Sequence, residues 1–457
     1  MLRISVRSTV AAAFIVLSGA GARADEPPLP AYNADIAQTS ISGISSGAFM
    51  AVQFGTAWSS FVIGVGAIAG GPFGCSEGSG SAALSTCMGG EPAPDLPDLI
   101  KHTDAWSRSG DIDDTANIAK QKIYLFNGYN DSVVARSVSN ALYEFYAHYR
   151  PASLFYQTAI GSGHSQVTVA YGGGCADNGG EFINKCGYDQ AGVILQHIYG
   201  ALIPRNDSAL AGHIITFGQG EFTGSQKPLD DSMDDKGFAY VPASCAAQEP
   251  CRLHVALHGC LQSVGNIGDD FVKHAGYNEW ADTNHIIVLY PQTHAVGLTS
   301  LGITNPQACW DWWGYLDANP TESPTYLLKS GKQISAIKAM IDRITSGARP
   351  SATPAASPPV PPATVSAADA SDSAIDLVWT AVPGATGYEV FRDEASSPIG
   401  TVVGPSYGDA GLKPATTYRY KVRAINGATK SDFSAVIAPQ TRRKVPTCEE
   451  PGTCAVR

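Results

Sequence analysis

Apolar residues fall along this chain in two rhythms. Short apolar runs, Phe61–Ala69, Lys122–Phe126, Ser153–Thr158 and Arg252–Leu257, read as buried strands. Stretches with helical spacing lie among them. Ala48–Phe54 opens one helix, Ala135–His148 forms a second, and Ile334, Ile337, Ile341 and Ile344 share one face of a third that begins at Lys332. Strands alternating with helices predict an α/β architecture with a mainly parallel sheet. Past residue 364 the helical rhythm stops. Ile375–Trp379, Tyr388–Arg392 and the segment running into Val422 alternate as strands, with a turn at Pro383–Gly387, and predict a small all-β unit.

Between the two regions, Arg349–Ala363 carries six prolines among small residues, the composition of a semi-rigid extended linker. The other end of the chain is different again. Arg3 and Arg7 precede an apolar core, Val10–Leu17, and Ala22-Arg23-Ala24 offers a small-residue cleavage site. That run is too short to span a bilayer, so a cleaved secretory leader is expected and with it a secreted protein, in the medium or the periplasm. The expected organisation is therefore 1–24 leader, 25–347 α/β domain, 348–364 linker, 365–441 all-β domain and 442–457 tail.

Removing the leader takes away three arginines and moves the formal charge from −11 to −14. An acidic chain without a basic cluster argues against nucleic acid and anionic membranes as partners, and a monomer is expected. All ten cysteines lie beyond the leader, an even count that suits an oxidising compartment. Proximity suggests the pairs Cys75–Cys87, Cys175–Cys186, Cys245–Cys251 and Cys448–Cys454, which leaves Cys260 with Cys309. No C-x-x-C pair is present, so neither a metal nor a cofactor is expected.

Candidate chemistry begins at Gly43-Ile44-Ser45-Ser46-Gly47, a G-x-S-x-G pattern between a strand ending, Thr39-Ser40-Ile41, and the first helix. Such an elbow holds a serine on a tight strand-to-helix turn, with small residues on either side so that backbones can pass closely. Ser45 is then the candidate nucleophile and the Ser46 N–H a candidate oxyanion donor. Asp131 follows the strand that ends at Phe126, and His164 follows the strand that ends at Thr158. Open α/β sheets build their sites beyond the carboxyl ends of strands. Taken singly, Asp131 reads as a turn or cap residue and His164 as a loop histidine. The chain order Ser, Asp, His is that of α/β-hydrolases, in which the imidazole accepts the serine proton and the carboxylate orients the imidazole. A further strand, Arg252–Leu257, ends at His258-Gly259-Cys260, where a glycine lets a backbone N–H approach a substrate oxygen. Cys260 is the candidate second oxyanion donor. Ordinary α/β-hydrolases carry this loop ahead of the nucleophile, whereas here it follows His164 by about a hundred residues, the order a circular permutation would produce.

Several motifs together resemble the extracellular poly(3-hydroxybutyrate) depolymerases, in particular the subgroup with a permuted catalytic domain and an N-terminal lipase box. They are the early elbow, G-x-x-D-x-x-V around Asp131, His164, His258-Gly259-Cys260, the segment from Ala281-Asp282 to Gln292, and Cys309-Trp310-Asp311-Trp312-Trp313-Gly314-Tyr315. The resemblance spans about 25–344 and implies serine-esterase chemistry on a hydrophobic aliphatic polyester through a 3-hydroxyacyl enzyme, without a metal. An uncharged polymer of methyls and esters suits aromatic faces, so Trp310, Trp312 and Trp313, with His258, are the candidate substrate-binding residues; the alternative for each tryptophan is a place in the core. Trp379, Tyr388 and the string Leu412-Lys413-Pro414-Ala415-Thr416-Thr417-Tyr418 resemble a fibronectin type III module, for which a spacer role is expected. Family members often carry a further substrate-binding domain after that module; the tail 442–457 has no room for one. Two other readings of the residues stand beside this one: a secreted carboxylesterase for acetyl or feruloyl groups, and a non-catalytic binding protein on a hydrolase fold.

Overall fold

The first strand, β1 (Ala34–Ile44), lies in the middle of an eight-stranded sheet, and everything else is added on either side of it. A computed structural model describes residues 26–297, 304–347, 359–382, 385–426 and 429–444. The expected leader and the expected pair Cys448–Cys454 lie outside them.

On one side of β1 come β2 (Val62–Ile68), β3 (Lys122–Phe126) and β4 (Ser153–Gln157), all parallel. Farther along the chain, β5 (His213–Gly218), β6 (Lys236–Val241), β7 (Cys251–Leu257) and β8 (Ile286–Tyr290) fill the other side. The order across the sheet is β4-β3-β2-β1-β7-β8-β6-β5, with β6 antiparallel to both of its neighbours. If β5–β8 are moved in front of β1, the loop after β7 becomes the loop after the third strand. That is where α/β-hydrolases keep the second oxyanion donor, so the permuted α/β-hydrolase architecture expected from the sequence is the observed one.

Helices cover both faces, which is why the strands read as apolar runs with little alternation. On one face α1 (Ser46–Ala57), α2 (Leu96–Ser109), α3 (Arg136–Tyr149) and α5 (Lys332–Thr345) bury Phe54, Phe145, Ile334, Ile337, Ile341 and Ile344 against Ile41, Val65, Ile123 and Val255. On the other, α4 (Gln190–Tyr199) sets Ile194 and Ile198 over Ile68 and Tyr124. The four disulfides of the described region are Cys75–Cys87, Cys175–Cys186, Cys245–Cys251 and Cys260–Cys309, the pairs proximity suggested.

The sequence gives no warning of a polar ladder inside this second layer. Ser40 Oγ meets His254 Nδ1 at 2.7 Å, and Ser42 Oγ meets His254 Nε2 at 2.8 Å. Tyr199 and Tyr277 complete the row through the two serine hydroxyls. Burial pushes the His254 imidazole down to about 3, and it pushes His258 down to about 4. The unfolded chain takes up a proton on each ring near pH 6.5, but the folded chain refuses it. Their stabilisation is therefore full above pH 6.5 and is lost as pH falls towards the folded values. Asp311 runs the other way: burial, aided by Asp317, raises it to about 7, so it removes stability as pH rises from the usual carboxylate range to neutrality. His254→Gln deletes one of the two histidine contributions. Urea unfolding between pH 4.5 and 6 is expected to show the stability–pH slope smaller by one proton, about 1.4 kcal/mol per pH unit. An unchanged slope would mean that His254 is not held neutral.

The remaining residues form a separate two-sheet unit. Val365–Ala370, Ala374–Trp379 and Ser406–Ala410 make one sheet, and Gly400–Val402, Gly387–Arg392, Tyr420–Asn426 and Thr429–Lys430 the other. Trp379, Tyr388, Val390, Leu412 and Val422 fill the space between them. Tyr418 Oη accepts the Lys413 N–H at 2.9 Å, the tyrosine corner of such sandwiches. This is the fibronectin type III-like module expected from Leu412–Tyr418.

Candidate active site

β1 runs straight into α1 through Ser45, whose backbone sits at φ 55°, ψ −121°. A non-glycine residue in that region is strained, and the strain carries the Ser45 side chain to the mouth of the sheet's switch point, where β1 lies between β2 and β7. Gly47 makes the turn possible. A Cβ there would stand 2.3 Å from the His258 carbonyl oxygen and 2.6 Å from that of Leu257, so only hydrogen fits where α1 crosses the end of β7. The same crossing draws the His258-Gly259-Cys260 loop over Ser45: a Cβ placed on Gly259 would lie 3.3 Å from Ser45 Cβ.

Ser46 opens α1, so its N–H belongs to the first-turn donors that no intrahelical carbonyl takes. Cys260 lines the same cleft as Ser45 and is tied to Cys309. The loop around Cys260 is held at several points. Gly259 N–H donates to Gln262 Oε1 at 2.7 Å, Leu261 N–H donates to Gln307 O at 2.7 Å, and Gln262 Nε2 donates to the carbonyls of Glu181 and Phe182.

Beyond β3 and β4 the other two expected residues meet. His164 Nδ1 and Asp131 Oδ2 are 2.9 Å apart, and both side chains are almost wholly buried. Asp131 Oδ1 accepts the N–H groups of Val133 and Val134, each at 2.9 Å. The carboxylate is thus both the loop cap that the turn reading expected and the partner of the imidazole. Ser45 and His164 face one cleft of about 670 Å³. Its walls are Phe49, Leu84, Met88, Val133, Phe182, Pro306 and their neighbours, and among the described residues His164 is its one titratable side chain.

Trp312 and Trp313 line this cleft, Trp312 stacked on Phe49 with ring centroids 4.2 Å apart. Trp310 and His258 do not, contrary to the sequence expectation. Both are fully buried. Trp310 Nε1 donates to the His258 carbonyl at 2.9 Å, and His258 Nε2 accepts the Thr293 N–H at 3.2 Å. That leaves His258 Nδ1–H to donate to Gly259 O at 2.7 Å. The two residues brace the oxyanion loop from behind, so their chemistry is directed into the core. Gln262 and Phe182 were not singled out in the sequence; Gln262 sits two residues past Cys260, while Phe182 reaches the cleft through tertiary folding.

The chain is similar to known proteins along most of its length. The chain is 41% identical over 442 residues to a poly(3-hydroxybutyrate) depolymerase of Delftia acidovorans, covering 94% of this chain and 85% of that one. It is 37% identical over 352 residues to a polyhydroxybutyrate depolymerase of Talaromyces funiculosus, covering 74% and 98%. The crystal structure of the PHB depolymerase from Penicillium funiculosum superposes with a TM-score of 0.62 at 36% identity, over 70% of this chain and 99% of that one. A PHB depolymerase complexed with an R3HB trimer gives 0.63 at 35%, with the same coverage. Residues 360–440 match the Fibronectin type III domain. With a relative this similar along most of both chains, the protein belongs to the poly(3-hydroxybutyrate) depolymerases, a family of carboxylic ester hydrolases.

Proposed function

We propose that this chain is a secreted enzyme that hydrolyses the ester bonds of poly(3-hydroxybutyrate) and its oligomers through a Ser45–His164–Asp131 triad. The observation that carries the reading is the cleft itself. An uncharged wall of aromatic and aliphatic side chains surrounds one serine and one histidine, and the histidine is held by a buried aspartate. Such a wall favours methyl-bearing ester units and, with only the amides of Gln262, Asn305 and Gln307 beside that serine and histidine among its described residues, offers no charged partner to an ionic substrate.

In the first half-reaction His164 accepts the Ser45 Oγ proton as the oxygen attacks the ester carbonyl. Asp131 fixes the proton on Nδ1, leaving Nε2 free as the base, and stabilises the imidazolium. The Ser46 and Cys260 N–H groups take the oxyanion. Collapse expels the hydroxyl end of the polymer, which receives the proton from His164, and leaves a 3-hydroxyacyl ester on Ser45. Water, deprotonated by His164, then attacks that ester and releases a 3-hydroxy acid terminus. Residues 1–24 direct export, and 348–364 space the catalytic domain from the fibronectin-like module, which ends near residue 441.

The test is acid release from amorphous poly(3-hydroxybutyrate) granules beside acetylated xylan and methyl ferulate, followed by titration. Release from the granules with little from the other two is expected. Release from acetyl or feruloyl esters and none from the granules would replace the substrate while leaving the triad.

A further inference from the structure

The three loops that bring Ser45, Asp131 and His164 together come from separate strand ends, and one segment touches the Asp131 and His164 loops and the His258-Gly259-Cys260 loop as well. It runs between Gly173–Gly174 and Ile183–Lys185 of a small three-stranded sheet whose third strand, Gln166–Thr168, begins two residues past His164. Cys175–Cys186 staples its two ends. At its tip is Asn178. Its Oδ1 accepts two backbone N–H groups, from Ser132 at 2.9 Å and from His164 at 2.8 Å. Its Nδ2 donates back to the carbonyls of Asn130 at 2.9 Å and Ala176 at 3.2 Å. The residues on either side of Asp131 and the backbone of His164 are therefore fastened to a single amide. A few residues on, the carbonyls of Glu181 and Phe182 receive Gln262, whose other end holds the Gly259 N–H of the oxyanion loop.

Resting on the triad reading above, we infer that Asn178 is a positioning residue that sets the Asp131–His164 pair in register with Ser45. The physical argument is one of tolerance. Proton transfer from Ser45 needs the imidazole held within a fraction of an ångström, and displacement by about 1 Å can cost on the order of 100-fold in rate. The Asp131–His164 hydrogen bond fixes the two side chains relative to each other but leaves the pair free to move as a unit. Asn178 removes that freedom, because it binds the backbone of both loops and is itself anchored by the stapled segment. It touches no reacting atom, so it acts through His164 and Asp131. Among the described residues the cleft side of His164 carries no other titratable group, its far side carries Asp131, and the Asp177 carboxylate next to Asn178 is turned onto the Gly174 N–H.

The test compares Asn178→Ala and Asn178→Asp with the intact protein, using p-nitrophenyl butyrate from pH 5 to 9, with thermal unfolding and organophosphate labelling in parallel. Asn178→Ala is expected to lower kcat about 100-fold with KM within threefold. Asn178→Asp keeps the acceptor for both N–H groups but sets its second oxygen against the Asn130 and Ala176 carbonyls, so it is expected to recover part of that loss. Its added carboxylate should also move the acid limb of kcat/KM to higher pH, because a nearby negative charge favours the imidazolium. A structural role alone would lower activity in step with the folded fraction and leave kcat per folded molecule unchanged, which would overturn the assignment. So would an Asn178→Ala protein within threefold of the parent in kcat while the parent is labelled at Ser45. Failure of the parent to be labelled would overturn the triad, and the role of Asn178 with it.

Discussion

Replacing Ser45 with alanine is expected to lower kcat on soluble esters by about 10⁶, close to 8 kcal/mol of transition-state stabilisation. The size follows from how triads work. Once the nucleophile is gone, the base and its carboxylate have no proton to move, and only the oxyanion donors and substrate binding remain to assist water. The fold should be indifferent. Alanine meets the same φ of 55° that serine tolerates, and the Ser45 N–H still donates to the Ile68 carbonyl. Unfolding midpoints of the two proteins should therefore agree, which separates lost chemistry from lost structure. The measurement is single-turnover hydrolysis of a p-nitrophenyl ester together with organophosphate labelling. A variant that kept more than one hundredth of the parent kcat would remove Ser45 from the reaction and sink the mechanism.

Strand ends and chain order made Ser45, Asp131, His164 and the His258-Gly259-Cys260 loop legible before any coordinates. Each lies just past an apolar run, and the period of the run marks where the strand stops. Residues whose task depends on a partner far along the chain were not legible. Trp310 stands in the aromatic run Cys309–Tyr315 and His258 in the loop His258-Gly259-Cys260, and both read as substrate contacts. Yet both are turned inward, where the Trp310 indole finds the His258 carbonyl and the imidazole finds Thr293. His254 alternates with Leu253 and Val255 along β7 and so faces the layer that holds Ser40 and Ser42. That pairing exists only because β1 and β7 are neighbours in the sheet. Asn178 sits in a glycine-rich loop with no periodicity, and its two acceptor bonds cross 46 and 14 residues of sequence. The permutation has the same root. The sheet requires the oxyanion loop beside the nucleophile, and the chain is free to reach that place from either direction.

Asp131→Asn is expected to cost about 10⁴ in kcat while leaving KM and the unfolding midpoint nearly unchanged. The hydrogen bonds around Asp131 say why so small a change should matter so much. Oδ1 accepts the Val133 and Val134 N–H groups, and Oδ2 accepts from His164 Nδ1. An asparagine in the same rotamer must give its oxygen to the two backbone donors, since its amino group cannot accept from them. The amino group then faces His164 Nδ1 and donates to it. This forces the imidazole proton onto Nε2, the nitrogen that has to be free to take the Ser45 proton. Local structure survives because the loop keeps both backbone bonds, yet the base is in the wrong tautomer. Asp131→Ala, by contrast, removes the cap of Val133 and Val134 as well and should lower the unfolding midpoint. Kinetics on p-nitrophenyl butyrate with both variants separates the roles. If Asp131→Asn stayed within tenfold of the parent while Asp131→Ala was destabilised, Asp131 would be a loop cap alone and His164 would have to be oriented by its backbone contacts.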